Sequence, residues 1–312
     1  MITLYTPTPP IHWSWVTLAG ADAKEFLHRI TTVSTQSMKS GQGANGCLLS
    51  GYGKIRASFT LWNYAEGEYG FEFNAGQDKK WKKELFTAID QYTFAEKITL
   101  ADVTVLECRW IFAEDDALPF EIEPGQTIAI DDEIRLCHHG KLDYGRPWIT
   151  AWARPARLEQ WIEQTFPDTG STSFEQLESW RIAAIRPRID AEITETTVPL
   201  EAGMLDSLAQ QKGCYPGQEV IERILSLGSP ARRLALIEGE GRLPRPGDAI
   251  FNLAAPPGEV GKITSVAAID DHSFKALGYL RKIHAKEGLE IQFIEDRMPT
   301  AKGRVQRITP YE

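Results

Sequence analysis

One eight-residue segment contains the residues best suited to chemistry, Lys212-Gly213-Cys214-Tyr215-Pro216-Gly217-Gln218-Glu219. Pro216-Gly217 is a turn dipeptide, because proline presets φ at one position and glycine supplies a positive φ at the next. Gly213 removes a side chain before Cys214, and Lys212 places a cation nearby, which favours a thiolate if the two side chains converge. Such a thiolate could be a nucleophile, a metal or cluster ligand, or a redox thiol. The alternative is a buried cysteine before a structural turn.

Two further patterns match binding motifs less well. Gly41-Gln42-Gly43-Ala44-Asn45-Gly46 has the G-x-G-x-x-G spacing of dinucleotide sites, but that fingerprint follows a strand and opens a helix. Here a polar segment precedes it and a strand-like segment follows, so we predict a turn. Cys137-His138-His139 offers adjacent metal donors, but neighbours on a strand point to opposite faces and cannot easily share one metal. We therefore predict an exposed loop there and no metal site.

The composition excludes several classes of protein. The chain has 312 residues, of which 42% are hydrophobic and 25% charged, so it is neither wholly disordered nor fibrous. Its net charge of −9 argues against a broad nucleic-acid-coating surface. No segment approaches the ~20 apolar residues of a membrane span, and the start lacks the basic residues of a secretory signal. We expect a soluble, cytoplasmic protein with no direct nucleic-acid or membrane partner.

The cysteines are scattered, at positions 47, 108, 137 and 214, and they form no C-x-x-C pair. This spacing makes a poor disulfide framework and a poor zinc site, and it suits a reducing cytosol. Cys47 and Cys108 lie among apolar neighbours and are predicted to be small core residues.

Hydrophobic periodicity predicts the elements that must position these residues. The clearest helix covers Asp78–Tyr92, in which Trp81, Leu85 and Ile89 share one face, and its lysine run at 79–83 is predicted to lie in solvent. Further helices are predicted at 22–30, from 155 onward and, after a capping box, from 173 onward. Strands are predicted at 55–62, 68–73, 98–105, 109–113 and 128–137. This irregular alternation indicates an α+β fold rather than a doubly wound sheet.

After residue 227 the pattern changes. Short strands are predicted at 233–238, 260–269, 275–280 and 289–295, and no long helical period remains. We therefore predict a small all-β domain, a barrel. The expected organisation is an α+β region over residues 1–226 followed by a C-terminal β-barrel domain over residues 227–312.

Segment 212–219 resembles the K-G-C-Y-x-G-Q-E signature of the YgfZ-type folate-binding proteins, which are relatives of the glycine-cleavage aminomethyltransferase. Residues 18–27 are similar to the family's opening L-x-G-x-D-A-x-x-F-L. Residues 198–203 are similar to the segment leading into the signature, and residues 220–223 to its continuation. The resemblance covers nearly the whole chain.

The resemblance implies an aminomethyltransferase-like fold, with two interlocked α+β lobes around a central cavity and a C-terminal β-barrel. It implies a tetrahydrofolate-binding accessory factor for the assembly or repair of iron–sulfur client proteins, including cluster enzymes that modify tRNA. It also places the family's cysteine on Cys214, with Lys212 as a second catalytic candidate. The candidate residues for a folate-like ligand are Glu201, Tyr215, Gln218, Glu219 and Arg223.

Two departures from the family bear on the ligand and the reaction. Aminomethyltransferases have G-G-x-x-D-D where this chain has residues 52–58, and neither Ala57 nor Ser58 replaces a carboxylate for proton transfer at a folate nitrogen. Both branches have a glutamate that holds the pterin where this chain has Ala183. Tetrahydrofolate binding would therefore depend on Glu201 or on backbone groups.

These observations leave three hypotheses. The leading one is the iron–sulfur accessory factor that uses the Cys214 thiol. The alternatives are a folate-dependent aminomethyl or methyl transferase of the glycine-cleavage type, and a non-catalytic binding protein that has lost folate. The residues leave open whether the protein is an enzyme.

Overall fold

A computed structural model of the chain describes residues 2–103, 105–113, 118–141, 143–254, 257–295 and 298–311. The chain forms two compact units. The first contains residues 1–142, 146–172 and 206–218, and the second contains residues 143–145, 173–205 and 219–312. The division into domains at residues 226 and 227 stays a prediction.

The first unit contains two antiparallel five-stranded sheets. One has the spatial order β1 (Ile2–Tyr5), β7 (Glu107–Ala113), β10 (Trp148–Ala153), β9 (Arg135–Gly140) and β8 (Thr127–Ala129). The other has the order β3 (Gln42–Leu49), β4 (Ile55–Ala65), β5 (Glu68–Asn74), β2 (Trp13–Ala19) and β6 (Thr99–Asp102). We refer to them as the β7 sheet and the β4 sheet.

Helices cover one face of each sheet. The helices α1 (Ala23–Ile30) and α2 (Lys80–Tyr92) share a hydrophobic core with the β4 sheet, in which Phe26 and Leu85 are fully buried. The helix α3 (Pro155–Thr165) packs Leu158 against the β7 sheet. It begins at a proline because the first position of a helix needs no N–H donor and favours the fixed φ of proline. Short 3₁₀ helices lie at Thr35–Ser37, Gln77–Lys79 and Leu205–Ser207.

The other faces of the two sheets contact each other around a buried carboxylate. Glu72 of β5 is fully buried and accepts hydrogen bonds from the indole Nε1 atoms of Trp13 (2.8 Å), Trp62 (2.8 Å) and Trp152 (2.7 Å). Nε2 of His139 lies 3.2 Å from its second oxygen. Because Trp152 and His139 belong to the β7 sheet, this cluster joins the two sheets. A buried carboxylate is tolerated only with such partners.

The second unit contains a closed barrel. Its strands follow the order β11 (Arg232–Gly241), β14 (Ser273–Arg281), β13 (Glu259–Ala268), β12 (Ala249–Asn252), β15 (Glu290–Glu295) and β16 (Met298–Ile308). This confirms the predicted C-terminal barrel. The unit also includes α4 (Phe174–Ala183), a 3₁₀ helix at Lys282–His284, and α5 (Gln218–Leu227), whose first residue belongs to the first unit.

A buried arginine anchors α4 to the barrel. The guanidinium of Arg181 donates to both oxygens of Glu178 (2.9 and 2.7 Å) and to Glu192 (2.9 Å). It also donates to Oγ of Ser265 on β13 (2.8 Å), which in turn donates to Glu192 (2.6 Å). At the other end of α4, Oγ of Ser173 accepts the N–H of Gln176 (3.2 Å), which is the predicted N-cap.

The prediction of a turn at residues 41–46 is wrong, because most of this segment is strand β3. Its glycines allow close packing rather than a turn. A Cβ on Gly43 would lie 2.1 Å from the ring of Trp62, and a Cβ on Gly46 would lie 2.2 Å from Val33. Only a residue without a side chain fits at such distances.

Two other predictions for the first unit are wrong. Residues 128–137 form two strands, β8 and β9, because Asp131 accepts the N–H groups of Glu133 (2.8 Å) and Ile134 (2.9 Å) and closes a turn. Cys137-His138-His139 is not an exposed loop, because it lies in β9, with Cys137 and His138 buried. No group of three or more His, Cys, Asp and Glu side chains suited to a metal occurs in the described ranges.

The lysine run of α2 is only partly in solvent. Lys82 is buried, and its Nζ donates to both oxygens of Asp102 on β6 (3.0 and 2.8 Å). An ion pair with another element therefore covers part of the face that the helical pattern predicted to be solvated.

Candidate functional site

The cysteine segment lies in a loop of the first unit that is fastened to the end of α1. Oγ1 of Thr32 donates to the carbonyl of Ser207 (2.6 Å), and the N–H of Ala209 donates to the carbonyl of Thr32 (3.0 Å). These bonds place residues 212–218 beside the residues that follow α1, although the two segments are far apart in the sequence.

Lys212 is the strongest link between this segment and α1. Its Nζ donates to the backbone carbonyls of His28 (2.6 Å), Thr31 (2.5 Å) and Val33 (2.9 Å). His28 lies in the last turn of α1 and Thr31 is its C-cap residue, so their carbonyls lie at the negative end of the helix dipole, where an ammonium group is stabilising. Lys212 thus positions the loop that carries Cys214, while its catalytic role stays a prediction.

The surroundings of Lys212 also affect its protonation. Burial lowers the pKa of the Lys212 ammonium to about 8, from an ordinary value of 10.5. Its Nζ lies 5.1 Å from the centre of the ring of Tyr215, which is itself buried. A cation over an aromatic face gains free energy, so Tyr215 supports the same clamp.

Cys214 differs from the other cysteines in exposure. All four cysteines lie in the described ranges, and Cys214 is exposed while the others are buried. Burial raises the pKa of the Cys47 thiol to about 12 and raises those of Cys108 and Cys137 well above their ordinary values. Because the thiolate is the reactive form, these three thiols are inert and Cys214 is the accessible one.

The turn after Cys214 packs against the hairpin that joins β3 and β4. Gly217 has a φ of 81°, and a Cβ there would lie 2.4 Å from the carbonyl oxygen of Ser50. Tyr52, at the tip of this hairpin, is 81% exposed. On β4 just beyond the tip, Ala57 is buried, and neither it nor Ser58 brings a carboxylate to this side of the cysteine segment.

His28 is a site residue that sequence reasoning missed. It lies in the last turn of α1 and is only 8% exposed, and its Nε2 is 3.7 Å from where a Cβ of Gly213 would lie. Burial and the charge of Lys212 lower the pKa of His28, which favours the neutral imidazole. Only the tertiary contact with Gly213 connects this histidine with Cys214.

The remaining predicted ligand residues divide between the units. Gln218 follows the turn at the start of α5 and is half-buried. Glu219 and Arg223 lie on α5 in the second unit, and both are exposed. Glu201 also belongs to the second unit, where its carboxylate accepts from Nε of Arg232 (3.0 Å).

The residues of the second unit fit a pterin only in part. A pterin ring presents adjacent N–H donors, for which a carboxylate is the matching acceptor. Ala183 ends α4 without one, and the neighbouring guanidinium of Arg181 is fully used within the fold. Glu201 is the candidate carboxylate in this unit, and its side chain is only 12% exposed and pairs with Arg232.

The fold is that of the aminomethyltransferases, which confirms the predicted α+β class. The crystal structure of glycine cleavage system aminomethyltransferase T from Bartonella henselae matches with a TM-score of 0.84 and 18% identity, covering 98% of this chain and 85% of that chain. No protein-family model matches the chain.

Within this fold class, the chain is similar in sequence to YgfZ proteins, which confirms the predicted resemblance. It is 26% identical over 247 residues to the tRNA-modifying protein YgfZ of Photobacterium profundum, covering 76% of this chain and 71% of the relative. The YgfZ of Serratia proteamaculans is 25% identical over 276 residues, with coverages of 83% and 79%. A putative chloroplastic transferase of Arabidopsis thaliana is 23% identical over 303 residues, with coverages of 91% and 67%.

Among the described residues, no helix has the length and apolar character needed to cross a membrane.

Proposed function

We propose that this protein is a tetrahydrofolate-binding accessory factor for the assembly or repair of iron–sulfur proteins, and that Cys214 is its reactive group. The observation that carries this proposal is the contrast between one exposed cysteine, on a turn held by Lys212 and Gly217, and three buried ones. An exposed thiol on a turn that is held in place is accessible to a group of another protein.

The comparisons support the client class in general terms. Relatives that span three quarters of the chain are named tRNA-modifying proteins, and several tRNA modifications need iron–sulfur enzymes, which would be the clients. The absence of a carboxylate at Ala57 and Ser58 argues against the aminomethyl transferase alternative, because proton transfer at a folate nitrogen needs such a group.

Complementation tests the role of the thiol. In a strain lacking its own YgfZ, the wild-type chain should restore the activity of iron–sulfur enzymes, whereas Cys214→Ser should not. Cys108→Ala is the matched control, because it removes a buried thiol, and it should restore activity once its folding has been verified by thermal unfolding. Equal rescue by Cys214→Ser would reject the thiol role.

Calorimetry tests the ligand separately. Titration with tetrahydrofolate should release or absorb heat, and Glu201→Gln should weaken the binding because the amide cannot accept both pterin donors as a carboxylate does. Glu222→Gln, which changes an exposed glutamate of α5, is the control and should bind like the wild type. Rescue by the wild-type chain without any tetrahydrofolate binding would instead identify a binding protein that has lost folate.

A further inference from the structure

A concave site lies in the first unit, and none of its residues belongs to the cysteine segment. It is a cleft of about 410 Å³ whose lining includes Trp13, Trp15, Trp152, Lys79 and Glu107, and we call it the tryptophan cleft. Its volume lies within the ~300–1,000 Å³ typical of sites for small molecules.

The cleft offers aromatic surface that is held in place before any ligand arrives. The indole N–H groups of Trp13 and Trp152 are both committed to Glu72, at 2.8 and 2.7 Å, so these side chains contribute ring surface rather than hydrogen-bond donors. Trp13 is half-buried and gives the accessible ring, while Trp15 and Trp152 are almost fully buried and form the floor. Such surfaces favour planar heteroaromatic rings, which stack on indole.

The charges in the cleft favour an anion at one end. Lys82 is neutralised by Asp102, whereas Lys79 is exposed. Lys79 therefore offers an ammonium group to an anionic ligand at this end of the cleft.

The other polar side chains of the lining are His12, Glu107 and the hydroxyl residues Thr6 and Ser14. The Glu107 carboxylate can accept hydrogen bonds from a hydroxylated ligand. Lys79 has a φ of 55° and Asp78 before it a φ of 53°, because the 3₁₀ helix at Gln77–Lys79 meets α2 at a kink there.

From these features together, we propose that the tryptophan cleft binds a ribonucleoside monophosphate. The base packs on Trp13, the phosphate binds Lys79, and Glu107 accepts hydrogen bonds from the ribose hydroxyls. This site is independent of the function proposed for Cys214.

Calorimetry on the full chain, with AMP as the probe and tryptophan fluorescence as a second readout, tests the site. AMP should bind, and adenosine and inorganic phosphate should each bind at least about tenfold more weakly, because each lacks one of the two recognised groups. Lys79→Gly should weaken AMP binding by about tenfold. Its thermal stability should be unchanged or raised, since glycine adopts a positive φ without strain.

Lys83→Met is the matched control, because it removes an exposed lysine of the same helix turn that does not line the cleft. It should bind AMP as the wild type does, and so should Cys214→Ser. Absence of AMP binding at millimolar concentration would overturn the proposal. So would equal affinity for AMP and adenosine, or equal AMP affinity in Lys79→Gly and the wild type.

Discussion

Replacing Gly217 by alanine should strongly destabilise the first unit at the cysteine segment. Gly217 has a φ of 81°, and its new methyl group would lie 2.4 Å from the carbonyl oxygen of Ser50 and 2.9 Å from Cα of Gly53. These are backbone atoms of the β3–β4 hairpin, so no side chain can rotate away to make room.

The magnitude follows from two separate costs. A left-handed conformation costs an L-residue about 1–2 kcal/mol relative to glycine. Forcing a methyl group into a closely packed contact adds about 1–3 kcal/mol, because the hairpin and the turn must move apart. Gly217→Ala should therefore lower the free energy of unfolding by about 2–5 kcal/mol.

Two other glycines separate these costs in the same urea-unfolding experiment. Gly228 has a φ of 93°, but nothing lies within 4 Å of the position that a new methyl group would take, so Gly228→Ala should show only the conformational cost of about 1–2 kcal/mol. Gly51 has neither a positive φ nor a neighbour within 4 Å, so Gly51→Ala should change stability by less than about 0.5 kcal/mol.

The comparison between Gly217→Ala and Gly228→Ala tests whether the close contact between Gly217 and Ser50 exists in solution. If the two variants lose the same free energy of unfolding within experimental error, the close contact between Gly217 and Ser50 does not exist in solution. The packing of the cysteine segment on the hairpin would then be refuted.

Three other changes should give distinct results. Burial acts to raise the pKa of Glu72, but the charge of His139 and hydrogen bonds hold this pKa below the ordinary 4.5. The ionised Glu72 carboxylate therefore stabilises the fold above pH 4.5, and this stabilisation is lost as the pH falls further. Glu72→Gln should cost about 3–5 kcal/mol at pH 7 and less at pH 3, measured by urea unfolding; an equal cost at both values would contradict this. Since the pKa of Lys212 is lowered to about 8, the folded chain releases a proton between pH 8 and 10.5 that the unfolded chain keeps. The free energy of unfolding of the wild type should therefore rise with pH over this window relative to that of Lys212→Met. Parallel pH profiles of the two proteins would contradict a lowered pKa of Lys212. Iodoacetamide should label one of the four thiols in the native protein and none in Cys214→Ser, as counted by mass spectrometry; a second native label would contradict the burial of the other three.

The sequence was sufficient to predict the elements with the strongest periodic pattern. The core face of α2, with Trp81, Leu85 and Ile89, follows from the helical period alone. The barrel strands β11, β13, β14 and β15 follow from short apolar runs between turn signals, whereas β12 and β16 are missing from the sequence prediction. The residue types of the cysteine segment also identified the turn, because the φ values that proline and glycine favour are local properties.

Tertiary structure decided what covers the opposite face of each element. Alternation in β5 places Phe71 and Phe73 in the core and Glu72 on the other side, where a single sheet would meet water. The β7 sheet covers that side instead, so Glu72 is buried among indole donors. Likewise, β6 covers Lys82, and residues 41–46 form a strand because Trp62 packs over Gly43.

The candidate site also has some features that the sequence predicts and others that only the tertiary structure decides. The sequence by itself determined that Cys214 is flanked by a cation and followed by a turn, because these properties lie within eight consecutive residues. Only the tertiary structure decided that Lys212 is directed to the carbonyls after α1, that His28 lies beside Gly213, and that Trp13 lines a separate cleft. These contacts join residues far apart in the chain, and local propensity carries no information about which distant groups satisfy a buried charge or an unpaired carbonyl.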